Sequence, residues 1–501
     1  MTALSKESIV AVVGSGVMGA GIAQIAAAAG HPVLLFDVRG DAVNKAIAGV
    51  AQTFQKLAAK GKMTAEAATA ASARITRAAS LSDLAPAGLV IEAILEDADI
   101  KRSLFADLEE VVSPECILAS NTSSISITAL GSKLKYPGRL AGMHFFNPVP
   151  LMELVEIVHG LATAPPYAEC LFATAGAWGK TAVYAKSTPG FIVNRVARPY
   201  YAEGLRLLNE HAASPASIDM ILRDSGGFRM GPFELMDLIG HDTNFAVTRS
   251  VFNAYYGDQR FMPSLIQQEL VEGGFLGRKS GRGFYDYREG AAPPAATLEP
   301  LSEVRSSVAL TGPIFFEAIL EERLQKAEIH LHSFPTVTIA LSDGRTATAR
   351  ALADSLPNLV LVDLARDFAT AKTLAVARAA SCTDEAYAVA VGSLQATGYN
   401  VIRLRDLPGL AVLRTVAMLA NEAADAVNQG VCSVAGVNAA MRKGVNYPAG
   451  PLAWADEIGP EYVHTALKEL GAFYGEDRYR ISPLISEIVL TKGTFARYGH
   501  E

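Results

Sequence analysis

Cysteine is scarce in this 501-residue chain, and none of it is placed as in a metal-binding or disulfide-rich domain. The four cysteines lie far apart and form no CxxC pair: Cys116, Cys170, Cys382 and Cys432. This spacing argues against a zinc site or a disulfide framework as the organising feature of the fold. We therefore expect no bound metal and a reducing compartment, which favours the cytoplasm.

Signals for a membrane or a nucleic-acid partner are also weak. The first residues, MTALSKESIV, lack the shape of a signal peptide. Residues 9–36 contain no Asp, Glu, Lys or Arg and are long enough to cross a bilayer. Glycine, proline and polar residues interrupt them, however, which favours strand, turn, helix and strand. The formal net charge of −7 argues against nucleic acid as a partner.

The same N-terminal stretch predicts a dinucleotide-binding βαβ unit. A buried strand over 9–13 precedes GSGVMG, an alanine-rich helix follows over 20–29, and a second strand over 33–36 ends in Asp37. In a GxGxxG turn, the glycines allow the tight turn, a close backbone approach to a pyrophosphate, and helix–strand packing. The helix N-terminus then offers N–H groups to the phosphates. The predicted cofactor contacts are Gly14, Gly16, Val17, Met18 and Gly19.

The acidic residue that ends the second strand selects between the two nicotinamide cofactors. Asp37 follows the last glycine at about the 20-residue spacing expected of a ribose-binding carboxylate. Its charge would repel a 2′-phosphate, so NAD is predicted over NADP. Arg39, two residues further on, is the feature that speaks for the phosphorylated cofactor.

The segment HFFNPVPLMELVE, residues 144–156, carries the residues best suited to catalysis. Pro148 and Pro150 force an extended or turning backbone between two apolar runs, so adjacent strands can bring His144 and Glu156 together. A carboxylate that accepts from one ring nitrogen fixes the tautomer and leaves the other nitrogen free to take a proton. The alternative is a histidine that is merely hydrogen-bonded in a core.

The residues between these two stretches predict more of the same sheet. Strands over 89–94, 117–120 and 140–146 alternate with helices over 41–60 and 98–112, which is typical of a doubly wound, mostly parallel sheet. Ligands bind at the carboxyl ends of the strands in such sheets. That rule groups Glu96, Asn121, Ser123 and residues 144–147 on the cofactor side.

Six motifs in this order resemble those of the NAD-dependent 3-hydroxyacyl-CoA dehydrogenases of β-oxidation: GSGVMG, IEAILED, NTSS, GMHFFNPVPLMELVE, STPGFIVNR and MGPFELMDLIG. The resemblance covers about residues 7–287. It implies that His144 is the catalytic base with Glu156 as its partner, and that Ser123 and Asn194 position the substrate hydroxyl and carbonyl. Besides the glycine loop, the implied NAD contacts are Asp37, Glu96, Lys101, Ser123, Asn147 and Lys279. The implied coenzyme A contacts are Thr53 and Lys60.

Beyond this part the chain repeats itself. Residues 189–240 and 408–459 share a series of identities at a constant offset of 219, which indicates an internal duplication. Asn194 corresponds to Leu413, and residues 300–405 contain neither a glycine fingerprint nor HFFNP, so the copy is predicted to bind no cofactor. We predict a Rossmann-type doubly wound α/β domain over 1–187, an all-α domain over 188–290 that opens with one long helix over 190–210, a linker and reduced α/β domain over 291–407, and a degenerate all-α repeat over 408–501.

The duplication and the resemblance together predict the partners. Helical domains of this family pair across a two-fold axis, and a tandem copy can supply that surface within one chain. We expect a monomer that mimics a dimer, or a homodimer, with an acyl-CoA substrate and neither nucleic acid nor membrane as partner. The arrangement is similar to bacterial enzymes of phenylacetate and short-chain acyl-CoA catabolism, which act on 3-hydroxyadipyl-CoA or 3-hydroxybutyryl-CoA. A dicarboxyl substrate would need a cation; the candidates are Arg195, Arg198, Arg223 and Arg229.

Two other functions compete with this one. The β-hydroxyacid dehydrogenases share the glycine loop but use a catalytic lysine, and the His144–Glu156 pair argues against them. A non-catalytic NAD-binding structural protein, as among lens crystallins of the same family, would have lost site residues. Ser123, His144 and Asn194 are all present, which favours the enzyme.

Overall fold

The computed structural model describes residues 2–302 and 307–498, and their contacts divide the chain into two compact units. The first comprises the chain up to Arg195 together with Gln429–Val445. The second comprises Val196–Asn428 and the chain from Asn446 onward. The bounds of the four domains derived from the sequence stay predictions.

An eight-stranded sheet forms the centre of the first unit. Its strands are Ile9–Val13 (β1), Val33–Phe36 (β2), Ile75–Arg77 (β3), Ala87–Glu92 (β4), Ile117–Ser120 (β5), Leu140–Phe145 (β6), Leu154–His159 (β7) and Thr181–Lys186 (β8). The order is β3-β2-β1-β4-β5-β6-β7-β8, and neighbours run parallel except β6 and β7. The first six strands have the order of a Rossmann sheet, so the predicted doubly wound α/β fold is confirmed.

Helices cover this sheet. They are Val17–Ala29 (α1), Gly40–Ala59 (α2), Ala65–Ala73 (α3), Ala98–Val111 (α4), Ile127–Leu130 (α5), Pro165–Ala177 (α6) and Val193–Val196 (α7). Ile22 of α1 and Phe54 of α2 lie in one continuous core with Val12 and Ile91 of the strands. Burial of these apolar side chains is the main stabilising contribution to the layer. The loops at the carboxyl ends of the strands are where a ligand is expected to bind.

The predicted long helix over 190–210 is wrong. The chain instead forms α7 and then a separate helix, Arg198–Asn209 (α8), with Ala197 between them. Pro199 lies in the first turn of α8. Proline has no N–H to donate and its ring collides with the preceding turn, so a helix can begin at Pro199 but cannot run through it unbroken.

The second unit combines helices with a smaller sheet. After α8 come Pro215–Asp224 (α9), Pro232–Ile239 (α10), His241–Ala254 (α11), Leu265–Glu272 (α12), Val308–Thr311 (β9), Ile314–Lys326 (α13), Val337–Leu341 (β10), Ala347–Ala353 (α14), Leu359–Val362 (β11), Thr373–Arg378 (β12), Asp384–Ala396 (α15), Asn400–Arg403 (β13), Val412–Asn428 (α16), Val434–Gly444 (α17), Pro451–Ile458 (α18), Pro460–Tyr474 (α19) and Pro483–Leu490 (α20). Of these, α17 belongs to the first unit, where it packs on β7 and β8. Within residues 2–302 and 307–498, no helix has both the length and the apolar character needed to span a bilayer.

The second sheet repeats the carboxyl-terminal half of the first. Its order is β13-β12-β11-β10-β9, with β11 and β12 antiparallel like β6 and β7. The strand β12 and the helix α15 lie 219 residues after β7 and α6. The predicted duplication therefore extends into the α/β part. At the same offset, Asp363 stands where the first sheet has His144, and Ala375 stands where it has Glu156.

Candidate active site

The turn between β1 and α1 has the shape of a dinucleotide-binding loop. Gly14 has a φ of 107°, and a Cβ there would lie 2.4 Å from the carbonyl oxygen of Ala93. A Cβ on Gly19 would lie 1.8 Å from the carbonyl oxygen of Gly14, so glycine is what lets the helix approach the turn. A Cβ on Gly16 would meet nothing within 4 Å. Open space thus faces the N-terminus of α1, where Val17 is exposed and a pyrophosphate fits.

Asp37 lies beside this loop, in an open cavity of about 800 Å³. Its carboxylate accepts hydrogen bonds from the N–H (2.9 Å) and Oγ (2.8 Å) of Ser15 and from the N–H of Arg39 (3.0 Å). Partial burial favours the neutral acid, but these hydrogen bonds outweigh it and hold the pKa of Asp37 below its usual range. A charged carboxylate here suits ribose hydroxyls and repels a 2′-phosphate.

The antiparallel pairing of β6 and β7 sets His144 directly opposite Glu156. His144 Nδ1 lies 2.6 Å from Glu156 Oε2, and both side chains are buried. The rings of Phe146 and Phe191 pack against the imidazole, at centroid distances of 4.5 and 5.8 Å. Because Nδ1 is engaged by the carboxylate, Nε2 is the nitrogen that remains to take a proton.

The second oxygen of Glu156 is held as firmly as the first. Oε1 accepts hydrogen bonds from the N–H groups of Ile192 (3.1 Å) and Val193 (2.9 Å), at the start of α7. Just before them Gly190 and Phe191 have left-handed backbones, with φ of 75° and 46°. This turn leads the chain into α7 with its free N–H groups facing the carboxylate. Glu156 is thus fixed in the orientation that engages His144.

A buried lysine joins two acidic residues on the cofactor side. Lys101 Nζ lies 2.6 Å from Glu92 Oε1 and 3.1 Å from Glu96 Oε2. Glu92 ends β4, and its carboxylate also accepts from Ser120 Oγ (2.6 Å) and the N–H of Ile94 (2.7 Å). For Glu96, burial favours the neutral acid, but the charge of Lys101 and several hydrogen bonds hold the pKa below its usual range.

Glu96 also ties down the loop that follows β5. Its Oε1 accepts from the Thr122 hydroxyl (2.7 Å) and from the N–H of Ser123 (2.9 Å). In the same loop, Asn121 Oδ1 accepts from the N–H of Phe145. A cavity of about 350 Å³ is bounded by Met18 and, among polar groups, by Glu96, Lys101, Asn121, Ser123, His144, Asn147 and Asn194.

The two cavities adjoin one another. Ala93 and Ile94, which follow β4, line both of them. A ligand that runs along this strand end would therefore reach from the carboxylate of Asp37 to the imidazole of His144. That span suits a dinucleotide with its adenosine end at Asp37 and its nicotinamide end at His144.

Three residues implied by the resemblance are not among those that line these cavities. Thr53 is on α2, where its hydroxyl donates to the carbonyl of Gly49, and Lys60 is exposed at the end of the same helix. Lys279 belongs to the second unit, where its ammonium lies 2.5 Å from Asp242. Their contacts to coenzyme A or NAD stay predictions.

Sequence reasoning missed three residues of this site. Glu92 and Ser120 lie at the ends of two buried strands and read as ordinary strand residues, although a carboxylate at the end of an apolar run is a signal that was open to use. Ser15, inside the glycine motif, reads as a spacer. Their contacts link residues that are far apart in sequence, which periodicity does not reveal.

The glycine loop, a ribose-type carboxylate and a buried histidine–carboxylate pair define the class of a nicotinamide-dependent dehydrogenase that acts on a hydroxyl group. Family models agree. Residues 9–188 match the NAD binding domain of 3-hydroxyacyl-CoA dehydrogenase, residues 190–287 and 409–497 match its C-terminal domain, and residues 339–408 match the 3-hydroxybutyryl-CoA dehydrogenase reduced Rossmann-fold domain. The chain belongs to the 3-hydroxyacyl-CoA dehydrogenase family. The predictions of NAD and of an oxidoreductase are confirmed.

Two relatives match over nearly the whole chain, and a third matches over more than half of it. The chain is 45% identical to 3-hydroxyadipyl-CoA dehydrogenase of Escherichia coli over 97% of its length and 98% of that protein. The crystal structure of 3-hydroxybutyryl-CoA dehydrogenase from Escherichia coli K12 superposes with a TM-score of 0.89 at 43% identity, covering 97% of this chain and 99% of that one. A 3-hydroxybutyryl-CoA dehydrogenase of Bradyrhizobium diazoefficiens is 41% identical over 58% of this chain and 99% of its own.

Proposed function

We propose that this protein oxidises (S)-3-hydroxyacyl-CoA to 3-oxoacyl-CoA, with 3-hydroxyadipyl-CoA or 3-hydroxybutyryl-CoA as its substrate. The observation that carries the proposal is the 2.6 Å contact between His144 Nδ1 and Glu156 Oε2 at the wall of the cavity that adjoins the glycine loop. The names of the long relatives supply the two candidate substrates.

His144 acts as the general base in this mechanism. Nε2 takes the proton of the substrate 3-hydroxyl, and Glu156 stabilises the imidazolium that results. NAD, when bound, accepts the hydride that leaves the same carbon. In the reverse direction the imidazolium returns its proton to the carbonyl oxygen. The fixed carboxylate keeps the imidazole in the tautomer that both directions need.

Ser123 and Asn194 orient the reacting oxygen. Both line the catalytic cavity with His144. A neutral hydroxyl and a neutral amide can donate to an oxygen whose negative charge rises as its proton leaves, and they need no rearrangement when they are already in place. Loss of either donor is expected to lower the turnover number strongly and to change the affinity for NAD less.

The residues of the first unit fit NAD by their chemistry. Gly14, Gly16 and Gly19 shape the pyrophosphate turn, and Asp37 accepts from the adenosine ribose. Glu96, Lys101 and Asn147 are assigned to the nicotinamide half, because they line the cavity that contains His144. Lys279 is assigned to the cofactor, and Thr53 and Lys60 to coenzyme A, on the family resemblance alone.

We also propose that the chain is a cytoplasmic monomer that mimics a dimer and binds no nucleic acid. Within the second unit, Arg260 Nη1 lies 3.3 Å from Glu422 on α16, while Tyr479 Oη donates to Glu203 on α8 at 3.2 Å. Tyr479 and Glu422 stand 219 residues after Arg260 and Glu203. Each repeat thus contacts the other through equivalent positions, as in an isologous interface.

The test of the proposed reaction is NADH formation by the wild-type enzyme. The (S)-isomers of 3-hydroxybutyryl-CoA and 3-hydroxyadipyl-CoA are supplied with NAD, and the (R)-isomers serve as matched controls. We expect turnover of at least one (S)-substrate and none of its (R)-isomer. NAD binding without turnover of either substrate would overturn the proposal for these substrates.

A further inference from the structure

A cavity of about 180 Å³ in the second unit is rich in positive charge. Four arginines line it, and among the described residues of its wall none is acidic. The arginines are Arg198, Arg206, Arg260 and Arg478. Its size suits a carboxylate with a few methylene groups rather than a nucleotide. We call it the Arg198 cavity.

Arg198 differs from the other three arginines in lacking a counter-charge. The others have carboxylate partners of their own: Arg206 pairs with Glu203, Arg260 with Asp258, and Arg478 with Glu476. In the part of the chain that the structure describes, no carboxylate pairs with Arg198, although the residue is only 5% exposed.

The contacts that Arg198 does make are too weak to offset its burial. Nη1 donates to the hydroxyl of Thr248 at 3.1 Å, and the guanidinium lies 4.8 Å from the ring centre of Tyr201. Nε is buried and has no hydrogen-bond acceptor among the residues that the structure describes. Removal of the guanidinium from water by burial lowers the pKa of Arg198. A buried guanidinium whose neighbours are a neutral hydroxyl and a ring is destabilising unless an anion joins it.

We propose that the Arg198 cavity receives a carboxylate group, which pairs with the guanidinium of Arg198. A carboxylate fits because guanidinium offers two parallel N–H donors to its two oxygens. The carboxylate is that of a free dicarboxylate, so the inference does not depend on the proposed reaction.

The test compares Arg198→Met with the wild type. The matched control is Arg229→Met, since Arg229 is exposed and lies outside the cavity wall.

Thermal unfolding with adipate tests the inference. Adipate should raise the Tm of wild type and of Arg229→Met but not of Arg198→Met, whichever substrate the enzyme uses. Arg198→Lys, which keeps the charge, covers the case in which the methionine variant does not fold, and should retain part of the effect. An unchanged Tm of the wild type with adipate, or an equal rise in Arg198→Met, would overturn the inference. Absence of all turnover would defeat the proposed reaction but leave the adipate result decisive for the cavity.

Discussion

Each oxygen of Glu156 has a different task. Oε2 orients His144, and Oε1 accepts the N–H groups of Ile192 and Val193. An aspartate side chain is one methylene shorter, so its carboxylate would not reach both sets of donors from the same backbone position. The residue therefore links the catalytic base to the backbone that carries Asn194.

Glu156→Gln keeps the shape of this side chain but changes its donors. The amide oxygen is needed by Ile192 and Val193, so the amide NH₂ faces His144 Nδ1, which must then accept. Nε2 would carry the ring proton and lose its function as a base. We expect kcat to fall by about 10²-fold or more while NAD binding is retained.

The matched control for this variant lies on the same segment. Glu153 is exposed and pairs with Lys443, so Glu153→Gln should retain full activity. Steady-state kinetics with a titration of NAD makes the comparison. Equal kcat values in the two variants would show that the carboxylate does not set the tautomer.

Glu96 predicts a pH dependence of stability. Its folded pKa is lowered from 4.5, so its stabilising contribution is fully present above that value and is lost as pH falls through the folded value. Glu96→Gln should thus lower the free energy of unfolding at pH near 7. The expected loss is only about 1 kcal/mol, because solvent screens this partly exposed group. The difference should disappear in strong acid. Urea unfolding of the NAD-free protein at several pH values measures it, and a pH-independent difference would contradict the assignment.

At the level of elements, the sequence predicted the strands better than the helix breaks. The strands β1, β2 and β5 have the predicted bounds, because buried parallel strands are continuous apolar runs between turn residues. The break between α7 and α8 was missed, although Pro199 is its cause, because the apolar spacing continues across it. The short strand β3 has two exposed residues out of three and no alternation to detect.

The site residues also differ in whether local sequence predicts them. Local motifs identified the glycine loop, Asp37 and the pair of His144 with Glu156. The buried contact of Lys101 with Glu92 was not predicted, because it forms only when α4 folds back onto the end of β4. Such tertiary pairs carry no period in the sequence.

In the second repeat, Asp363 accepts hydrogen bonds from the start of a helix, as Glu156 does in the first. Its carboxylate accepts from the N–H groups of Ala411, Val412 and Leu413 at the start of α16. Asp363→Ala leaves these buried donors unpaired, so we expect a loss of about 2–4 kcal/mol in the free energy of unfolding. Asp363→Asn keeps an acceptor and should lose less. Urea unfolding compares them, and an alanine variant as stable as the asparagine variant would refute the capping role.

At the scale of the whole molecule, the proposed pseudo-dimer rests on the duplication. The second repeat lacks the site residues of the first. The positions of His144, Glu156 and Asn194 are occupied there by Asp363, Ala375 and Leu413. It retains the surface by which α16 packs on α8, including the buried contact of Arg414 with Glu203 at 2.5 Å. Loss of the site residues together with retention of the packing surface is the pattern expected when a repeat is selected for stability alone.

The expected oligomeric state follows from that arrangement. A surface that is already covered within the chain offers no second copy an apolar face, so the protein should sediment as a single species of about 53 kDa. Sedimentation velocity across a wide range of protein concentration is the measurement. A species of twice that mass, stable on dilution, would contradict the internal pseudo-dimer and support a homodimer.

The measurement that bears most directly on the central claim is the turnover of His144→Ala compared with wild type, at saturating NAD and with whichever substrate the wild type uses. A general base at His144 predicts a kcat lower by about 10²-fold or more, with NAD affinity unchanged. A variant that retains most of the wild-type kcat would show that the proton leaves by another route, and that the histidine–carboxylate pair only stabilises the fold.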